Sequence, residues 1–416
     1  MINGELIRMN KKLIYGTLFI LFLSLLTKIN AQTNVLDSLE CQSYQRIYLT
    51  HLPPNYTESA SIPLVIFLHG GGGNAQSAQR FTMFNQVANA KGFVVVYPQA
   101  YFEGRPNSYV WADGRNTAAD KAGIDDVGFI TKMVGTIISE YSINENKIYL
   151  CGFSNGSFLA QSIAFQANQY FAAMATIGGT MDTLLFNSGN PGRAIPMTYI
   201  FGTQDPFVPY DGGVVAESAT MPVVGIEQAV QFWVENNQCL AEPDSIDLPN
   251  INTSDNSTVT LFEYKGGAAP VKFFRINGGG HTWPGVELAR QEALLGETNE
   301  DISASLELWN FFNKYSLNTT AVLNEKTQIS NFELFPNYPN PFNPTTMISY
   351  QLTCNSDVEL ALYNVLGEKL MTLVNEYQMV GNHKVELNLS HLPSGTYFYS
   401  LSADKFIETK KMVLLK

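Results

Sequence analysis

The run Lys147-Ile148-Tyr149-Leu150-Cys151 leading into Gly152-Phe153-Ser154-Asn155-Gly156 constrains this chain more than any other segment. A strand-like apolar stretch meets two glycines that flank a serine, and a helix-compatible stretch, Ser157 to Gln169, follows. The spacing predicts a buried strand that turns sharply into a helix with Ser154 at the apex. The glycines have a steric task there, because strand and helix approach too closely for side chains. Glycine and serine are common, so the pattern alone is a weak signal. Its neighbours in the chain give it weight.

Upstream, Pro63-Leu64-Val65-Ile66-Phe67-Leu68 is a continuous apolar run, as expected of a strand covered on both faces. It ends in His69-Gly70-Gly71-Gly72-Gly73-Asn74, where unshielded backbone N–H groups suit a concave anion-binding loop. By itself this would be a flexible turn. Paired with the serine turn, it predicts an oxyanion hole made by the amides of Gly71 and Asn155. Downstream, Ile195 to Phe201 reads as another buried strand, followed by Gly202-Thr203-Gln204-Asp205-Pro206. Aspartate before proline is often only a turn residue. Here its place just past a strand end suits it to orient a histidine, with Asp211 as the nearest rival. Of His51, His69, His281, His383 and His391, only His281 follows the acid in a loop after a strand, Val271 to Ile276. The order Ser154, Asp205, His281 is that of an α/β-hydrolase and not of trypsin-like or subtilisin-like enzymes.

These residues also carry a resemblance. HGGGGN, the Trp111 segment with Asp125-Asp126-Val127-Gly128-Phe129-Ile130, GFSNGS, FGTQDPFVPYDGG and HTWPG together resemble the secreted esterases of the polyhydroxybutyrate depolymerase-like family, related to feruloyl and acetylxylan esterases. The likeness spans roughly Cys41 to Tyr315. It implies the same triad and suggests that Asp126 and Gly128 shape the active-site neighbourhood, unless they merely cap a helix. Relatives often have a cysteine beside the central tryptophan, whereas Val110 precedes Trp111 here, so disulfide pairing does not transfer.

The 416 residues suffice for one large α/β domain plus a smaller unit. Net charge is −12, from 25 basic and 37 acidic residues, without a basic stripe, which argues against nucleic-acid binding. Lys11-Lys12, the apolar stretch Leu13 to Leu26 and Ala31 before Gln32 read as a secretory signal peptide over 1–31. Met9 is a more natural start than Met1, and no later segment reads as a membrane span. Among the cysteines, Cys151 should be buried and reduced, Cys41 and Cys239 are the expected pair, and Cys354 lies further on.

Strand and helix signals alternate across 35–315, which predicts a mainly parallel sheet covered by helices. Asp301 is expected to cap a final helix, Ile302 to Tyr315. Residues 316–331 read as a polar linker and 332–416 as a small all-β sandwich. Its expected strands include Met347–Tyr350, Val358–Tyr363, Lys384–Leu389 and Thr396–Leu401. NYPNPFNPTT, LYNVLGEK, LPSGTYFYSL and KKMVLLK resemble the C-terminal sorting domain of the type IX secretion system. The resemblance implies that secretion machinery as a partner, with release or attachment outside the cell. The other reading is a binding module with Tyr397 and Tyr399 as a platform, though alternation more simply makes them one strand face.

The expected function is secreted ester hydrolysis through an acyl-enzyme, with no metal-ligand spacing and no cofactor required. A peptidase on the same scaffold and a non-catalytic surface binder are the other classes. Tyr109, Trp111 and Trp283 are candidates to line an aromatic pocket, and tryptophan is equally at home in a core. Polyesters and acylated poly- or oligosaccharides are the candidate substrates. Soluble oligoesters and hydroxycinnamoyl or acetyl esters are favoured, because the extra domain resembles a sorting signal and not a polyester-binding module.

Overall fold

The computed structural model describes residues 33–189, 191–215, 221–286, 292–317, 332–337, 339–352, 356–378, 381–403 and 406–415. The expected signal peptide, most of the expected linker and Cys354 lie outside these residues. A ten-stranded sheet organises the larger part. Its strands are β1 (Thr33–Cys41), β2 (Tyr44–Leu52), β3 (Ile62–Leu68), β4 (Val94–Pro98) and β5 (Ile143–Phe153). They continue with β6 (Ala173–Ile177), β7 (Met197–Gly202), β8 (Asp244–Asp247), β9 (Thr258–Tyr264) and β10 (Val271–Asn277). Across the sheet they run β1-β2-β4-β3-β5-β6-β7-β10-β9-β8. From β4 to β10 every neighbour is parallel, and the two outer pairs on each side are antiparallel.

The unbroken apolar runs in the central strands follow from burial on both faces. In β3, Leu64, Ile66 and Leu68 point into one core, while Val65 and Phe67 point into the other. In β5, Ile148 and Leu150 oppose Tyr149 and Cys151 in the same way. Helices α1 (Ala75–Thr82) and α2 (Phe84–Lys91) cover one face with α6 (Ala304–Phe312). Helices α3 (Asp126–Glu140), α4 (Asn155–Gln166) and α5 (Ile226–Asn236) cover the other. This is the α/β-hydrolase architecture, as expected from the sequence.

Several boundaries differ from the sequence reading. Helix α6 starts at Ala304 after Ser303, and Asp301 does not cap it. The Asp301 carboxylate instead accepts from the amides of Ile251 (2.6 Å) and Asn252 (3.0 Å), stitching a distant loop to this one. Leu317 still packs on the core of the larger unit and donates its N–H to Asn146 O (2.9 Å), so the first expected linker residues belong to that unit. Cys151 and Cys239 are free thiols and Cys41 is not bonded to Cys239, which corrects the expected Cys41–Cys239 bridge. Cys239 lends its S–H to Ala269 O (3.1 Å), and Cys151 is buried and reduced, with burial holding its thiol pKa well up. Among the described residues no helix is long and apolar enough to cross a membrane.

The C-terminal part forms two antiparallel sheets with a core of their own. One contains Glu333–Leu334, β11 (Thr345–Leu352) and β14 (Gly381–Asn388). The other contains β12 (Ser356–Tyr363), β13 (Lys369–Gln378), β15 (Gly395–Ala403) and β16 (Phe406–Leu414). Ile348, Tyr350 and Leu387 from the first meet Leu360, Tyr399, Leu401 and Met412 from the second, giving the expected sandwich. Tyr397 and Tyr399 are buried in it, so they form no exposed platform. The Tyr399 hydroxyl donates to Phe335 O (2.8 Å) and accepts from Asn337 N (2.8 Å).

The junction of β5 and α4 is the tightest place in the fold. A Cβ on Gly152 would lie 2.1 Å from Gly156 O, and one on Gly156 would lie 2.3 Å from Leu68 O. Both obstacles are backbone and cannot turn aside. Gly152→Ala is expected to cost at least about 3 kcal/mol, the upper end for overpacking. Urea unfolding of wild type and variant checks it, and a loss below about 1 kcal/mol would contradict this packing.

Candidate active site

The strand-to-helix turn holds Ser154 at φ 53°, ψ −118°, a region rarely occupied by non-glycine residues. Such strain costs on the order of 1–3 kcal/mol and must be held by its surroundings. The Ser154 amide donates to Ile177 O (2.9 Å). One helical turn on, the Ser157 hydroxyl lies 2.7 Å from Gly152 O and 2.8 Å from Ile177 O, and accepts from Ile177 N (2.9 Å). Ser157 thus ties α4 to β5 and β6, a role the sequence reading missed.

Asp205 and His281 arrive from two neighbouring strands. The loop after β7 supplies Asp205, whose buried carboxylate accepts from Phe207 N and Val208 N at 2.8 Å each through Oδ1. Its Oδ2 lies 2.6 Å from His281 Nδ1, on the loop after β10. A carboxylate fixed by two amides leaves Nδ1 as the protonated nitrogen and Nε2 bare. Asp211 is exposed and does not take this place. The glycines before His281 are required by crowding. A Cβ on Gly280 would lie 2.1 Å from Leu295 O, and one on Gly202 would lie 2.3 Å from Gly279 O.

Ser154 and His281 both lie beside the Gly178-Gly179 turn that follows β6. A Cβ on Gly178 would lie 3.1 Å from His281 Nδ1, and one on Gly179 would lie 3.1 Å from Ser154 O. The imidazole also sits between Phe153 (4.9 Å between centroids) and Phe207 (5.3 Å). Its Nε2 has no hydrogen-bond partner among the described residues.

The glycine loop runs along the other side of Ser154. A Cβ on Gly70 would be 3.4 Å from Ser154 Cβ, and one on Gly71 would be 3.5 Å from Asn155 Cβ. Gly71 and Asn155 are therefore neighbours, and neither backbone amide donates to an acceptor among the described residues. The loop is held by Tyr109, whose carbonyl accepts from Gly72 N (2.9 Å) and whose N–H donates to Gly73 O (3.1 Å).

The aromatic candidates divide. Tyr109 is half-buried beside the loop. Trp111 and Trp283 are fully buried, the core placement that the sequence left open beside the pocket. Trp283 packs edge-on to Phe67 (5.3 Å) and donates to Ser305 Oγ (3.3 Å). Trp111 packs tilted against His69 (4.7 Å between centroids) and donates through Nε1 to His69 O (2.8 Å).

Two buried ion pairs flank Trp111 that sequence reasoning did not identify. Asp113 accepts from Arg115 through Nε (3.0 Å) and Nη2 (2.6 Å), and also from Asn155 Nδ2 (2.5 Å). Asp126 pairs with Arg46 and accepts from Ala112 N (2.7 Å). Burial pushes both carboxyls up, while the guanidinium groups pull the other way. Asp and Arg two positions apart, just after a tryptophan, were the only signal in the sequence. Asp125, not Asp126, caps α3 through Gly128 N (2.7 Å), and a Cβ on Gly128 would strike its carboxylate at 2.1 Å. Among the described residues no group of side chains is arranged to hold a metal ion.

Residues 46–224 match the family described as esterase PHB depolymerase, and residues 337–415 match the secretion system C-terminal sorting domain. The latter domain marks a chain for secretion, to the medium or the cell surface. NocK of Nocardia uniformis subsp. tsuyamanensis, an esterase by name only, is 27% identical over 58% of this chain and 72% of its own length. Feruloyl esterase B of Piromyces equi is 27% identical over 57% of this chain and 42% of its own. The solved acetyl xylan esterase from Aspergillus awamori is 16% identical over 62% of this chain and 98% of its own, with a TM-score of 0.44.

His69 gives a pH test of this region. Ala100 N–H donates to its Nε2 (3.1 Å), so Nδ1 carries the proton and donates to Gly70 O (2.8 Å). Burial lowers its pKa to about 4. With the folded value below the unfolded one, near 6.5, stability is full above that value and falls as pH drops toward 4, by on the order of 3 kcal/mol. Denaturant unfolding between pH 7 and 4 should show this slope, and His69→Gln should flatten it.

Proposed function

We propose that this chain, an ester hydrolase of the PHB depolymerase esterase family with a type IX sorting domain, works through Ser154, His281 and Asp205 as a serine esterase. The contact that carries the reading is His281 Nδ1 to Asp205 Oδ2 at 2.6 Å, beside a strained serine at the end of β5. With Nδ1–H held by Asp205, Nε2 takes the Ser154 proton as Oγ attacks the ester carbonyl carbon. The carbonyl oxygen becomes an oxyanion that the Gly71 and Asn155 amides stabilise. One such donor is worth about 2.7–4 kcal/mol. Collapse expels the alcohol, which leaves with the proton from Nε2. Water then attacks the acyl-enzyme, giving its proton to Nε2, and the acid departs as Ser154 recovers that proton.

The favoured substrates are hydroxycinnamoyl or acetyl esters on plant polysaccharide, or soluble oligoesters. Relatives named feruloyl esterase B and bifunctional acetylxylan esterase/xylanase support the first two. Tyr397 and Tyr399, the candidate platform pair, are buried in the C-terminal sandwich and so are not offered to solid polyester. That unit we assign to engagement with the type IX machinery.

Parallel assays on methyl ferulate, acetylated xylan and 3-hydroxybutyrate oligomers test the substrate. Turnover of one ester class is expected, and turnover of peptides alone would contradict the reading. Ser154→Ala should lower kcat by at least about 10⁴-fold, and Asp205→Asn by about as much, with the fold retained. A retained rate in either variant would contradict the proposed roles.

A further inference from the structure

Asn155 contributes more than a backbone amide. Its side chain is buried and committed on every side. Oδ1 accepts from Trp111 N (2.7 Å), while Nδ2 donates to Trp111 O (3.3 Å) and to Asp113 Oδ2 (2.5 Å). Asp113 is clamped in turn by Arg115, whose guanidinium lies 3.7 Å from the ring centroid of Phe158, one turn along α4 from Asn155. On the opposite side the same segment grips the glycine loop. Trp111 Nε1 donates to His69 O, and the Tyr109 backbone pairs with Gly72 and Gly73.

We propose that residues 109–115 act as a spacer between the two amides of the oxyanion hole, with Asp113 and the Asn155 side chain as positioning residues; this rests on the serine-esterase reading above. The requirement is geometric. Donors stabilise an oxyanion only within about 2.7–3.1 Å of where its charge develops, and a shift of about 1 Å can cost about 10²-fold in rate. The Gly71 and Asn155 amides belong to different elements, β3's loop and α4, and helix packing alone does not set their separation to that tolerance. A buried ion pair is poor value for stability, because desolvation offsets most of its Coulomb gain. Its placement on the side chain of one proposed donor is accounted for by registry.

Asn155→Ala keeps the amide and removes its ties, so it separates the two roles. In the full chain, with p-nitrophenyl acetate as substrate and centres counted by phosphonate labelling run to completion, kcat per centre should fall about 10- to 100-fold. KM should stay within about threefold, since ground-state binding is untouched. Affinity for a boronic acid, which builds a negative tetrahedral adduct on the serine, should fall in step with kcat/KM. Asn155→Asp should be as slow as the alanine variant, because it sets a carboxylate against Asp113. Adding Asp113→Asn restores one donor facing one acceptor and should return at least about tenfold of the lost rate. If Asn155→Ala does not fold, Trp111→Phe loosens the glycine-loop side instead, and the same split between kcat and KM is expected. Unchanged kcat per centre in a folded variant, even one with a lowered Tm, would overturn the positioning role. A wild-type enzyme that takes up no phosphonate would overturn the serine-esterase reading itself.

Discussion

The site depends on one near-contact, the approach of the β5–α4 turn to the end of β3. Gly156 lets the helix backbone close on Leu68 O and His69 O to a distance that no Cβ could occupy, and Gly152 does the same for β5 against the Gly156 backbone. That closeness sets Ser154 in its strained conformation, and it also brings the glycine loop after β3 alongside Asn155. Serine and glycine loop are thus products of a single packing event. Each would be aimless without the other. The remaining elements respond to it: Ser157 ties α4 to two strands, and the Gly178-Gly179 turn leaves room for the imidazole.

Around this contact the chain buries charge, which interiors normally avoid. Arg46–Asp126 and Arg115–Asp113 both lie beside the segment that connects the two sides of the site. Every carboxylate oxygen of the two pairs accepts from a donor, so the desolvation of the acids is answered by hydrogen bonds, while the buried Arg46 Nε has no partner among the described residues. The segment has no regular structure from Trp111 to Arg115, and side-chain bonds replace the ladder that a strand would have given it.

Much of this was legible in the sequence, for physical reasons. Parallel central strands must be apolar on both faces, so β3, β5 and β7 stand out as apolar runs. The glycines announce crowding, and Asp205 and His281 follow from chain order and loop position. What was not legible depends on direction and partner. An aromatic residue does not reveal whether it faces a cleft or a core, so Trp111 and Trp283 could not be assigned between the two from sequence. Asp301 would cap a helix begun at Ile302, yet α6 begins at Ala304 and two loop amides hold the Asp301 carboxylate. Strand β13 was missed because it lies at a sheet edge with most side chains in solvent and little alternation to read. The Asp113 and Asp126 pairs join residues brought together only by folding. Asp126 and Arg46 are 80 positions apart.

The account stands on Ser154 being the nucleophile that His281 activates. The most direct measurement is peptide mapping by mass spectrometry after reaction of the full chain with a fluorophosphonate, beside the same reaction of His281→Ala. One adduct, on Ser154, formed far more slowly in the histidine variant, is the predicted result. An adduct on another residue, or a labelling rate indifferent to His281, would contradict it.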